Sequence, residues 1–185
     1  MIRLDNQAIR KIIQAKCKKM TMKQRNHASQ RIACVSQGFI QKQAIIGLFM
    51  PMSYEPDITS LYYDNDKMNR FALPKVTSKT AMEFVWWDET TKFQTGAFSI
   101  LEPGHSNYIA PNALSVIFVP VVAFNHRCER LGHGKGYYDR YLNKVDALKI
   151  GIAFSCQQSE DIQCFAHDVV LDVVITEKDI FYKVA

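Results

Sequence analysis

The chain has 185 residues, and 23 Lys+Arg against 18 Asp+Glu give it a formal charge of +5. That length suits one domain with its own core, and 48% apolar against 22% charged residues excludes a disordered tail or a fibrous repeat. The basic excess is uneven: residues 1–42 hold ten basic residues against one acid, a net +9, and the other 143 residues carry −4. A cationic N-terminal region could attract an RNA backbone, anionic lipid or the phosphates of a small ligand, and composition alone does not choose among them.

The opening Met1-Ile2-Arg3-Leu4-Asp5 has no apolar core of a secretory signal. The longest nearly apolar run, Ala113 to Phe124, is interrupted by Ser115 and Pro120 and falls short of the ~20 residues a membrane helix needs. A soluble, cytoplasmic protein is therefore expected. The five cysteines (Cys17, Cys34, Cys128, Cys156, Cys164) are odd in number and form no CxxC pair, which argues for reduced thiols rather than a disulfide framework or structural zinc.

Ile9, Ile12, Ile13, Cys17 and Met20 recur at helical spacing over residues 6–20, with Asp5 as N-cap and the cations on the other face. A second helix follows, because Thr21 and Gln24 fit a capping box and Ala28, Ile32, Val35 and Phe39 continue an apolar stripe. Ala44 to Phe49 reads as a buried strand closed by Pro51, Ile58 to Phe71 as a helix, and Ala72 to Val76 as a short strand containing Pro74. Glu83 to Trp87 and Phe98 to Leu101 are two more strands, before a loop marked by Pro103, Gly104 and Pro111. Leu114 to Val119 is the strongest strand candidate, stopped by Pro120; Tyr137 to Lys144 suits a helix, Lys149 to Phe154 a strand, and Val173 to Thr176 a last strand. Continuously apolar strands alternating with helices predict a single α/β domain over residues 1–185, with a Rossmann-like, mostly parallel sheet covered by helices on both faces. The basic helical region 1–42 would pack on that sheet.

The stretch that carries chemistry is Arg130-Leu131-Gly132-His133-Gly134-Lys135-Gly136-Tyr137-Tyr138-Asp139-Arg140. It follows the best strand and leads into a helix, the address at which open α/β sheets bind ligands. Glycines at alternate positions let backbone N–H groups approach a phosphate closely, and helix N-terminal amides add favourable partial charge. Arg130 and Lys135 provide full charges, and Asp139 could hold a divalent cation. The GxGxG spacing satisfies neither the dinucleotide fingerprint nor the Walker pattern. Tyr137 and Tyr138 could cover core or stack on a flat heterocycle. A zinc reading from His126, Cys128 and His133 matches no standard ligand spacing.

RLGHGKGYYDRYL, with the preceding VIFVPVVAFN, resembles the signature of the 5-formyltetrahydrofolate cyclo-ligase family. Phe49 to Asp57, Leu73 to Val76, Phe98 to Pro103, Ala153-Phe154 with Gln157, and His167 to Asp172 occur in the family's order, so the resemblance spans nearly the whole chain. It implies an ATP- and Mg²⁺-dependent ring closure. The formyl oxygen of 5-formyltetrahydrofolate attacks the γ-phosphate, and N10 then attacks the activated carbon with loss of phosphate to give 5,10-methenyltetrahydrofolate.

The resemblance also implies roles by position. Asn6, Arg10 and the run Arg130, Leu131, Gly132, His133, Gly134, Lys135, Gly136, Tyr137 and Tyr138 would contact ATP. Met50, Glu55 and the segment His133 to Tyr137 would line the folate side, with Glu55 accepting from pterin N–H groups. Lys135, Arg130 and Tyr137 would be catalytic, and Asp139 and Asp168 would hold the metal. Read without the family, Glu55 could be a surface carboxylate before Pro56, Asp168 a turn residue, and Met50 core. The chain departs from the family pattern at Asn6 (lysine expected), Ser99 and Cys128 (glycine), Asn125 (aspartate), Gln163 (proline) and Phe165 (glutamate). Expected partners are 5-formyltetrahydrofolate, with or without a polyglutamate tail, and ATP, with no nucleic acid, membrane or obligate protein partner. The competing readings are another nucleotide-dependent ligase or transferase, or an RNA- or anion-binding module using the basic helices; against the latter, that stretch lacks interleaved aromatics.

Overall fold

The structure, a computed structural model, describes residues 5–64, 68–96 and 100–184. Expectations placed on Met1 to Leu4, Phe98 and Ser99 lie outside the described residues. Helix α1 spans Asn6–Lys19, capped by Asp5, whose carboxylate accepts from the Ala8 amide at 2.7 Å. Ile9, Ile13 and Cys17 form its buried face at four-residue spacing. Helix α2 (Met22–Gln37) opens with the capping box of Thr21 and Gln24. Its buried stripe is Ala28, Ser29, Ile32, Ala33 and Ser36, whereas Val35, expected on that stripe, is 37% exposed. The contact is made through small residues flanking Ile32, which rotates Val35 off the packed face.

The remaining elements are β1 (Ile45–Gly47), α3 (Ser60–Asp64), β2 (Arg70–Val76), β3 (Met82–Trp87), β4 (Phe93–Thr95), β5 (Leu101–Pro103), β6 (Val116–Pro120), β7 (Ala123–Phe124), β8 (Arg130–Leu131), α4 (Tyr137–Leu142), β9 (Leu148–Ile152), β10 (Val173–Ile175) and β11 (Ile180–Tyr182). Seven strands build one sheet in the order β11-β10-β9-β6-β1-β2-β3. The five inner strands pair in parallel, while β11 and β3 are antiparallel edges. Two small antiparallel pairs, β4–β5 and β7–β8, stand outside it.

Strand alternation divides the core into two layers. Ile46, Phe71, Leu73, Val116, Phe118, Ile150, Ile152, Val173 and Ile175 face α1, α2 and α3. Ala72, Ile117, Val119 and Val174 face the other way, where Tyr141 and Leu142 of α4 pack with Phe84 and Val145. The protein is thus an α/β fold with a mostly parallel sheet and helices on both faces.

Three expectations about elements need correction. The helix expected over Ile58 to Phe71 is only Ser60–Asp64 where described, because Phe71 alternates with Ala72 as a strand residue paired to Ile46 and Trp87. Pro120 does not stop the strand before it but is its last ladder residue, opposite Ile152. The strand after Gly96 begins at Leu101 and pairs with the unexpected β4. The strands β7, β8 and β11, of two or three residues each, were not anticipated either.

At the start of β1 and β2 the sheet edge carries an aromatic corner. Tyr62 stacks on Trp87 with centroids 4.0 Å apart, and Phe71 and Phe93 meet the pair edge-on. At the other end of the same strands, chain progression reverses, since β2 lies on one side of β1 and β6 on the other. The crevice beyond the carboxyl ends of β1 and β6 is the place where such sheets bind ligands.

Candidate active site

A cleft of about 460 Å³ opens at that switch point. The segment after β1 supplies Met50 and Glu55, α1 supplies Asn6 and Arg10, the loop between β8 and α4 supplies residues 132–136, and Phe165, His167 and Asp168 close one side. Behind the lining, the buried Gln157 amide donates to the carbonyls of Val121 and Val122 just past β6 and accepts from the Phe154 amide at 2.7 Å.

The glycine loop is held by long cationic side chains. Arg10 Nε donates to the Gly132 carbonyl at 2.8 Å, so α1 reaches the loop across the sheet top. Arg140 Nη2 donates to the Lys135 carbonyl at 2.7 Å, and its Nε to Thr80 O at 2.6 Å. Tyr137 Oη donates to Ser78 O at 3.3 Å. Gly134 has φ +90°, and a Cβ there would sit 3.3 Å from the Arg10 guanidinium; Gly136 has φ +67°, and a Cβ would sit 2.7 Å from Arg140 Nη1. Both positions therefore need glycine for backbone conformation and for the close approach of an arginine. The helix that follows, α4, has only six residues, so its amides add less than a long helix would.

Arg130 is almost wholly buried and pairs with Asp139, Nη2 to Oδ1 at 2.7 Å, while Nη1 donates to Pro120 O at 3.3 Å. Its guanidinium lies 5.7 Å from the centroid of the Tyr138 ring. Burial pushes the Tyr138 phenol far above its usual range, so it stays neutral. Lys135, by contrast, is exposed, and its ammonium has no hydrogen-bond partner among the described residues. It is the cation of the loop that is available to a ligand.

Glu55 is not a surface carboxylate. Its side chain is 5% exposed; Oε2 accepts from the Met52 amide at 2.9 Å, and Oε1 lies 2.7 Å from His133 Nε2. A carboxylate only accepts, so that imidazole nitrogen donates. The contact joins the segment after β1 to the glycine loop across 78 residues.

Asn6 does not turn its amide to the loop. Its Nδ2 donates to the Gln163 carbonyl at 2.7 Å and its Oδ1 accepts from the Gln163 amide at 2.9 Å, tying the start of α1 to the segment before His167. Where a lysine was expected, this chain has a two-point structural tie. Cys128 explains another departure: at φ +61° it occupies the left-handed region where glycine is favoured, and burial pushes its thiol up to about 11. Asn125 keeps that turn by accepting from the Arg127 and Glu129 amides at 3.0 and 3.1 Å. His126 pairs with Glu160 instead of converging with Cys128 and His133, so the zinc reading has no geometry behind it.

Among the described residues no group of three or more His, Cys, Asp or Glu side chains is arranged to cage a metal. Mg²⁺ needs less than a cage, since it is commonly held by one or two carboxylates together with substrate phosphates. Asp139 and Asp168 fit that role. Val169 N lies 3.5 Å from Asp139 Oδ1, which brings the two segments together; Asp139 has one oxygen on Arg130, and Asp168 has one accepting from the Phe165 amide.

The sequence-predicted residues thus converge on one cleft. The lining also includes residues to which no role was assigned, among them Val76, Met82 and Leu101, an apolar wall; Glu102, a largely buried carboxylate; and Phe165 with His167, whose parallel rings lie 5.7 Å apart. Leu101 and Glu102 fall in the quoted family element Phe98 to Pro103, and Val76 in Leu73 to Val76, without a role being assigned to them; Met82 had no local signal to mark it.

Comparisons with known proteins point to one family. The model of the 5-formyltetrahydrofolate cyclo-ligase family matches residues 2–177. A 5-formyltetrahydrofolate cyclo-ligase of Mycoplasma pneumoniae is 31% identical over 182 residues, covering 95% of this chain and 100% of that one. The NMR structure of the Aquifex aeolicus 5,10-methenyltetrahydrofolate synthetase superposes with a TM-score of 0.84 at 31% identity, over 96% of this chain and 92% of that one. The 5,10-methenyltetrahydrofolate synthetase structure from Mycoplasma pneumoniae gives a TM-score of 0.80 at 30% identity, over 95% and 100%.

Proposed function

Because the chain belongs to the 5-formyltetrahydrofolate cyclo-ligase family, we propose that it converts 5-formyltetrahydrofolate to 5,10-methenyltetrahydrofolate at the expense of ATP, releasing ADP and phosphate. The observation that carries this reading is the convergence of Glu55, the Arg10-braced glycine loop and exposed Lys135 in one cleft. A folate and a triphosphate need those two kinds of surface side by side.

An amide oxygen is a poor leaving group, and phosphorylation makes it a good one. The formyl oxygen forms a bond to the γ-phosphorus as the bond to ADP breaks. The N10 lone pair then attacks the formyl carbon, the N10 proton is lost, and phosphate departs with the C–O electron pair. Little covalent work is left to the protein beyond positioning and charge neutralisation. Glycine-loop amides and Lys135 face the phosphates, with Lys135 interacting most strongly as charge shifts in transfer. Arg130 acts from beneath, fixing Asp139 and the loop base, and Tyr137 anchors the loop to Ser78. Asp139 and Asp168 would hold Mg²⁺, which would supply positive charge against the phosphates. Met50 and the wall of Val76, Met82 and Leu101 offer apolar surface for the folate rings. No described helix is long and apolar enough to cross a membrane, and we place the reaction in the cytoplasm.

Mixing the protein with Mg·ATP and 5-formyltetrahydrofolate should produce methenyl absorbance together with stoichiometric ADP. Folded protein that gives neither would overturn the reading.

A further inference from the structure

Resting on that reading, we propose that the Glu55–His133 hydrogen bond couples the folate and nucleotide subsites, with His133 as a positioning residue that must leave Glu55 before folate is recognised there. Both oxygens of Glu55 are engaged, one by the Met52 amide and one by His133 Nε2. With 5% of its side chain exposed, against 26% for His133, the carboxylate shows the cleft little surface, and the imidazole lies against that part of it. A ligand that brings N–H donors to the exposed part of Glu55 meets His133 there and competes with it for the carboxylate.

The backbone around His133 does not follow easily. Gly132 O is held by Arg10 and Lys135 O by Arg140, so the inexpensive movement is rotation of the imidazole itself. The freed ring stays within the glycine loop, where it gains a new acceptor if phosphates are present. A nucleotide that draws His133 to its phosphates likewise vacates Glu55. Each ligand thus lowers the cost of the other, and linkage makes the effect reciprocal.

The test is the affinity of a non-hydrolysable ATP analogue with Mg²⁺, measured by calorimetry with and without saturating 5-formyltetrahydrofolate. Wild-type protein should bind the analogue about tenfold more tightly when folate is present, a coupling of ordinary size. His133→Ala should bring that ratio close to one, whatever it does to either affinity alone. His133→Gln, which keeps a donor near the Nε2 position, should restore part of it. If His133→Ala does not fold, His133→Asn, too short to reach Glu55, reads the same ratio. A wild-type ratio of one, or a ratio unchanged in the variants, overturns the proposal. Wild-type protein that binds neither ligand overturns the functional reading as well, so the two failures are distinguishable.

Discussion

At the amino-terminal end of β1 and β2, Trp87 stacks on Tyr62, Phe71 meets Tyr62 edge-on and Phe93 meets Trp87 edge-on. At the carboxyl end of the same strands, Arg10, Arg130 and Arg140 reach backbone carbonyls and Asp139 around a loop in which three of the five residues 132–136 are glycine. Rings at the first end remove apolar area from water and need no particular ligand. Long cationic side chains at the second end fix backbone positions without filling the space, so a cleft remains. The difference teaches where substitutions should divide stability from activity.

The sharpest division is expected at Lys135. Lys135→Ala should lower kcat/KM by about 10²–10³-fold with no change in melting temperature, as for loss of a charge aimed at the transferring group. Wild-type turnover would remove Lys135 from the catalytic account. Asp139→Asn cuts across the comparison, because it strands the buried Arg130 charge. Urea denaturation without Mg²⁺ should show a loss of about 3 kcal/mol, alongside a raised Mg²⁺ requirement in the assay. An unchanged metal-free stability would leave Asp139 with a metal role alone. In the aromatic corner, Trp87→Ala should cost about 3 kcal/mol of stability while the folded protein retains its kcat/KM; a proportionate loss of activity would show that the two ends are not separable.

The smallest effect concerns the β7–β8 turn that delivers the loop. Arg127, and then the Asn125 amide, hold the Glu129 carboxyl below the usual carboxylate range despite opposing burial. A depressed folded pKa contributes stability above the unfolded value of about 4.3, and that contribution is lost as pH falls through the folded value. Wild-type stability should therefore decline more steeply than that of Glu129→Gln between about pH 5 and pH 3. Parallel curves would remove this contribution.

Legibility in the sequence followed the range of the interactions. The Asp5 cap, the Thr21–Gln24 box and the run ending at Pro120 are local signals, and the structure holds each of them. β11 was invisible because its residues are half-exposed and its pairing depends on β10 beside it. Within the glycine segment, Arg130 and Asp139 were each assigned to a ligand, yet nothing in their spacing of nine indicated that they meet one another. Glu55 and His133 were both singled out, but their contact spans 78 residues and emerges only when β1 and β6 become neighbours. Cys128 and Asn6 looked like bare departures until their backbone angle and hydrogen bonds gave them structural work.

The tie between Asn6 and Gln163 spans 157 residues, and that between Arg10 and Gly132 spans 122. During synthesis, α1 emerges early but lacks its docking surface until the segment carrying Phe154 and Gln163 follows. At about 5–20 residues per second, that wait is roughly 8–30 s. Over that interval the most cationic part of the chain is an unpacked amphipathic helix beside the ribosome, its Ile9 and Ile13 uncovered. The same long-range closure that builds the cleft therefore leaves the apolar face of α1 uncovered until synthesis is nearly done.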